Sequence, residues 1–91
     1  MLRDARELND GHVLECDLAI VGAGAAGITL ARALAGVRLS VCLLESGGLE
    51  FEERVQDLDR GANIGLPYFA LDACRLRFFG GSTNHWAGRC R

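Results

Sequence analysis

The chain begins polar and then turns apolar twice, with a helix-patterned stretch between the two apolar runs. Residues 1–15 are charged and polar and read as a loosely held lead-in. Cys16 to Val21 is a short apolar run (Leu18, Ala19, Ile20, Val21) that stops at a glycine. Its length and near-continuous apolarity predict a strand buried on both faces of a parallel sheet. Ala25 to Ala35 has helix composition, with Ile28, Ala31, Leu34 and Ala35 spaced along one stripe. Gly36 follows, where a helix stop belongs. Leu39 to Leu44 is the second apolar run, and it closes on Glu45. Strand, helix and strand within about thirty residues predict a βαβ unit with a right-handed crossover.

Beyond Gly48 the periodicity weakens. Leu49 to Leu58 predicts a short acidic helix with Phe51, Val55 and Leu58 on one side. Asp59 to Cys74 holds Gly61, Gly65 and the single proline, Pro67, and reads as a long loop with one helical turn. Arg75 to Phe79 reads as a short strand or extended segment that runs into Gly80-Gly81. The fold class is therefore α/β: an incomplete Rossmann-like βαβ unit, with residues 16–91 as one partial domain behind the lead-in. A two-strand parallel pair leaves an edge open on each side.

Composition narrows the function classes. With 49% hydrophobic and 24% charged residues, the 91-residue chain reads as soluble and globular rather than disordered. A net charge of −2 argues against a general nucleic-acid binder. Six acids lie between Glu45 and Asp59 against the single base Arg54, a run that reads as solvated surface. Arg75, Arg77, Arg89 and Arg91 follow with no acid among them, and an anionic partner such as a pyrophosphate is an alternative to solvent there. The absence of lysine excludes a Schiff-base mechanism and a P-loop. Cys16, Cys42, Cys74 and Cys90 are too scattered for a zinc or C-x-x-C redox pattern. Nothing resembles a signal peptide, and no apolar run approaches a membrane span, so a reduced, cytoplasmic setting is expected.

The first apolar run leads into Gly22-Ala23-Gly24-Ala25-Ala26-Gly27. This G-x-G-x-x-G spacing gains weight from its strand–helix–strand context and from the acid, Glu45, that ends the second run. Each position has a task in holding a dinucleotide. Gly22 permits a tight turn, Gly24 lets backbone approach a pyrophosphate, and Gly27 lets the helix pack on the sheet. The helix N-terminus at Ala25-Ala26 offers free N–H groups to phosphate. Glu45 suits ribose hydroxyls and disfavours a 2′-phosphate, which makes NADP a poor fit. The small residues Ser46-Gly47-Gly48 let chain pass close to an adenine. Downstream, Gly80-Gly81-Ser82-Thr83-Asn84-His85 combines exposed amides with short polar side chains suited to a second planar ligand portion.

The GAGAAG loop, LLESGG after the second run and FGGSTNHWAG downstream together resemble the N-terminal end of the glucose–methanol–choline (GMC) oxidoreductases. The resemblance covers residues 16–91, and the third motif is its most specific part. It implies FAD as cofactor and oxidation of an alcohol substrate, a sugar, polyol or related compound, by the full-length enzyme. It also implies that Gly80, Gly81, Ser82, Thr83 and Asn84 lie against the FAD. His85 stands where some relatives attach the flavin covalently, and a hydrogen-bonding or packing histidine is the alternative. Trp86 reads as a packing residue, and Arg75 and Arg77 either flank the cofactor phosphates or face solvent. The family's catalytic base lies far downstream of any position present here, and neither His12 nor His85 can take that role. An inactive N-terminal portion of a flavin oxidoreductase is the expectation. Its alternatives are an NAD-dependent Rossmann protein and a small nucleotide-binding module without catalysis of its own.

Overall fold

A computed structural model describes residues 1–85, so the expectations for Trp86, Arg89, Cys90 and Arg91 lie outside the described residues. Strand β1 (Leu18–Val21), helix α1 (Ala25–Ala33) and strand β2 (Val41–Leu44) form the βαβ unit. The strands are parallel and adjacent, with Leu18, Ala19, Ile20 and Val21 beside Val41, Cys42, Leu43 and Leu44. Gly22 N–H donates to the Leu44 carbonyl at 2.7 Å, which carries the ladder one residue past β1. At the other end Asp17 and Ser40 clasp each other. The Ser40 amide and hydroxyl donate to the Asp17 carboxylate at 2.8 and 2.6 Å. These bonds hold the Asp17 carboxyl below its ordinary range.

All three elements are shorter than their apolar patterns. Helix α1 stops at Ala33, and the chain leaves it through Gly36 at φ 91°, a left-handed conformation that suits glycine. Ile28, Ala31 and Leu34 are half-buried along the expected stripe, while Ala35 is exposed. The strands are not buried on both faces. Ile20 faces α1 and is buried, but Val21 on the opposite face is 84% exposed. In a parallel pair each strand alternates sides, so Ala19, Val21, Cys42 and Leu44 share that open face. The apolar run is the signature of a two-sided strand, and the described residues cover one side only.

The segment after β2 also departs from its pattern. Instead of one amphipathic helix there is a single turn, α2 (Glu53–Gln56), continued by a 3₁₀ turn at Asp57–Asp59. Phe51 and Leu58 are exposed, and the buried residue is Gln56. The expected helical turn inside the following loop is α3 (Leu71–Cys74). Arg75 is extended, and from there the chain reaches Gly80 without joining the sheet as a strand. Gly80 makes one isolated parallel bridge with Gly24, and a 3₁₀ turn follows at Gly81–His85. The lead-in is partly ordered. Asp4 caps a 3₁₀ turn at Ala5–Glu7, and Arg6 reaches Glu52 at 3.3 Å. The Arg6 guanidinium lowers the Asp4 carboxyl to about 2.

Candidate functional site

The three glycine-bearing motifs converge at the carboxyl ends of the two strands, where open α/β sheets present their ligand crevice. Gly80 N–H donates to the Ala23 carbonyl at 2.8 Å and Phe79 N–H to the Gly48 carbonyl at 2.9 Å. Gly47 lies so close to the Arg77–Phe78 backbone that a Cβ there would come within 2.6 Å of Phe78 Cα. The first loop, the segment after β2 and the downstream Gly-Gly are therefore stitched to one another by backbone.

Within the first loop the glycines differ in what surrounds them. A Cβ on Gly27 would overlap the Gly22 carbonyl oxygen, because α1 meets β1 almost without clearance there. Gly24 caps α1 with ordinary extended backbone (φ −81°), and a Cβ on it would meet nothing within 4 Å. No contact within the described residues requires a glycine at that position. The helix start carries no side-chain cap, and Ala25 and Ala26 are exposed beside it. Open space at Gly24 in front of uncapped helix amides fits an anionic group seated there.

Glu45 is the junction of the site. Its Oε2 accepts from Ala23 N–H at 2.7 Å, and its Oε1 accepts from the amides of Ser46 and Gly47 at 2.9 and 3.0 Å. The Ser46 hydroxyl adds a bond at 3.3 Å. Partial burial opposes ionisation of this carboxyl, but the donated hydrogen bonds from Gly47, Ala23 and Ser46 outweigh it and hold the carboxyl below its usual range. It is an anion that organises its own loop and still borders open space. A cleft of about 260 Å³ is lined by Glu45, Ser46, Asp59, Arg75, Arg77 and Ser82. A second, of about 410 Å³, runs beside it over Val21, Gly22 and Leu44.

The polar side chains of Ser82, Thr83 and Asn84 in the downstream motif are exposed and bond back onto backbone of their own turn and of Leu76. Gly80 and Gly81 take φ 93° and 58°, and the turn they make is braced from within. Asn84 Nδ2 donates to the carbonyls of Phe79 and Gly81, both at 3.0 Å, and the Thr83 hydroxyl donates to the Gly80 carbonyl. The Ser82 hydroxyl accepts from Leu76 N–H at 3.2 Å. His85 closes the turn, exposed. The sequence motif is thus, in the first place, a recipe for holding Gly80 against Ala23.

Two groups that sequence reasoning did not single out complete the arrangement. Gln56, 6% exposed, donates from Nε2 to the carbonyls of Asp72 and Arg75, both at 2.7 Å, and accepts from Arg77 N–H at 3.0 Å. Asp59, 8% exposed at its side chain, pairs with Arg77 and is not the solvated acid expected of that run. Gln56 is the only uncharged polar residue between Glu52 and Arg60, and that is the one signal the sequence offered.

A family model described as lycopene cyclase protein matches residues 17–74. The chain belongs to that family. The lycopene cyclase match spans the whole βαβ unit, Glu45 and Gln56, and the family is of the FAD-binding type. It stops short of the FGGSTNHWAG motif that starts at Phe79, the most specific part of the GMC resemblance. No curated protein and no solved structure matches the chain. No helix among the described residues is long and apolar enough to cross a membrane.

Proposed function

We propose that this chain carries the FAD-binding portion of a cytoplasmic flavin-dependent oxidoreductase of GMC type, one that oxidises a CH–OH group of a sugar, polyol or related compound. The observation that carries the reading is the unfilled space at Gly24, in front of uncapped helix amides and flanked by the anion Glu45. In this reading the pyrophosphate of FAD sits at Gly22, Gly24, Ala26 and Gly27. Glu45 and Ser46 receive the adenosine ribose. Gly80, Gly81, Ser82, Thr83, Asn84 and His85 form the wall on the flavin side. Bound FAD supplies the hydride acceptor for alcohol oxidation. The base that such a reaction needs is not assigned to any residue of this chain. The alcohol-oxidising part of the proposal is supported by Phe79–His85, and the cofactor part by the family match as well.

The family's own description favours a second reading, a flavoprotein related to an enzyme that cyclises lycopene. Both readings require the same cofactor, so the first experiment serves both. The purified chain is titrated with FAD, NAD and NADP while flavin fluorescence and competition are followed. Binding of FAD in preference to both nicotinamide dinucleotides is expected. Binding of NAD without FAD would leave a nicotinamide-binding or non-catalytic nucleotide module. Flavin colour that survives acid precipitation in wild type but not in His85→Ala would assign covalent attachment at His85, and colour lost to the supernatant a non-covalent contact.

A further inference from the structure

We infer that Arg77 is a positioning residue for the carboxylate of Glu45, acting through the hydroxyl of Ser46. The inference rests on the proposed role of Glu45 toward the adenosine ribose. Four segments distant in sequence are joined here by one line of hydrogen bonds. Arg77 Nε donates to Asp59 Oδ1 at 2.9 Å, and Nη2 donates to the same oxygen. On the other side of the guanidinium, Nη1 donates to Ser46 Oγ at 3.2 Å. Ser46 Oγ in turn donates to Glu45 Oε1, whose partner oxygen receives Ala23 N–H. The line therefore runs from Asp59 through Arg77, Ser46 and Glu45 into the glycine loop.

The guanidinium cannot drift, because its anchor is rigid at both ends. Asp59 is nearly buried, and the Arg77 backbone is held by Gln56 Oε1 and packed against Gly47. A planar fork can serve Asp59 and Ser46 at once in two directions, which a single ammonium on a flexible stem cannot do as well. The positive charge is already matched by Asp59, so Arg77 acts by orienting Ser46 rather than by drawing in a phosphate. The N–H donated by Arg77 occupies one lone pair of Ser46 Oγ and leaves the hydroxyl proton for Glu45. The amides of Ser46 and Gly47 keep Glu45 ionised in its loop without Arg77. What Arg77 adds is the orientation of the Ser46 hydroxyl, the fourth donor on that carboxylate.

The test compares FAD with its analogue carrying 2′-deoxyadenosine in place of adenosine, using the full chain. Dissociation constants are measured for wild type, Arg77→Met, Arg77→Lys, Ser46→Ala and the Arg77→Met/Ser46→Ala double variant, with circular dichroism as a folding control. Loss of a hydrogen bond that orients a charged group predicts about tenfold weaker FAD binding in Arg77→Met and in Ser46→Ala. The double variant should be no worse than either single one, because both cut the same line. Arg77→Lys should recover part of the loss. Affinity for the deoxy analogue, which keeps only the 3′-hydroxyl, should fall by less than affinity for FAD in every variant. Equal losses for the two ligands, or additive losses in the double variant, would overturn the inference and leave Arg77 a structural residue. If wild type binds the two ligands equally, the ribose role of Glu45 fails and the inference fails with it. If Arg77→Met does not fold, Arg77→Lys carries the test: a greater loss for the ligand with the 2′-hydroxyl supports the inference, and equal losses for the two ligands overturn it.

Discussion

Gly24 and Gly27 lie in the same turn of chain, and their surroundings call for opposite responses to one added methyl group. At Gly27 the methyl has no room, so Gly27→Ala should lower stability by about 1–3 kcal/mol through overpacking, measured by denaturant unfolding. At Gly24 the space is open and the backbone ordinary, so Gly24→Ala should cost at most about 1 kcal/mol, the loss of a glycine cap. Its effect should fall on FAD affinity instead. A Gly24→Ala chain that binds FAD as wild type does would remove the main support for the cofactor site. Glu45 adds a pH dependence with a definite sign. Its carboxyl is depressed in the folded chain by the hydrogen bonds it accepts, so the stability it contributes is fully present above the ordinary glutamate range and is lost as pH falls through the lowered folded value. In Glu45→Gln that component of the slope should disappear from unfolding curves taken across the acid range. These positions were readable in advance because glycine spacing and a strand-ending acid are chemical requirements of the loop itself. The bonding of Ser82, Thr83 and Asn84 onto nearby backbone was not, because a short polar side chain looks the same in sequence whether it serves a ligand or its own backbone.

Among the elements, α2 shows most clearly what periodicity can and cannot convey. Phe51, Val55 and Leu58 are spaced like a buried stripe, yet Phe51 and Leu58 stay exposed and Gln56 is inside. The reason is backbone accounting. The chain from α3 to Arg77 lacks a strand partner, and the carbonyls of Asp72 and Arg75 and the amide of Arg77 need one group that can satisfy all three. A glutamine amide does so. Gln56→Leu is expected to cost about 1–3 kcal/mol, because it leaves those part-buried backbone groups without their partner. Hydrogen exchange at Arg77 and Gly80 should quicken well before exchange in β1. If exchange speeds up uniformly instead, Gln56 supports the whole unit rather than this segment. The βαβ elements were legible because each carries its own apolar signature. The path from Arg75 to Gly80 was not, because its conformation is set by a distant side chain.

For the whole molecule the decisive fact is a small interior. Only Ile20 and Ala23 are buried apolar residues among the described residues, and Val21, Leu44, Ile64 and Leu66 stand exposed. The Cα radius of gyration, 15.5 Å, exceeds the roughly 12 Å expected of a compact domain of this length. A ligand that binds only the folded chain adds to this limited stability by mass action. Free FAD at a hundred times its dissociation constant should add about 2.7 kcal/mol, seen as a higher unfolding midpoint. NADP at the same concentration should leave the midpoint unmoved. An FAD-independent midpoint would mean that the cleft is not a flavin site.

The bridge from Gly24 to Gly80 has a consequence for the order in which this structure forms. The pairing of β1 with β2 closes a short loop around α1, whereas Gly80 can reach Ala23 only after the whole intervening chain has been drawn in. Closure entropy rises with loop length, so the shorter closure comes first. During refolding the βαβ unit should gain amide protection early and the Gly80 bridge last. The Gly80 wall of the crevice is then the last part to form, and FAD added during refolding should leave the early protection of the βαβ unit unchanged while it stabilises the closed bridge.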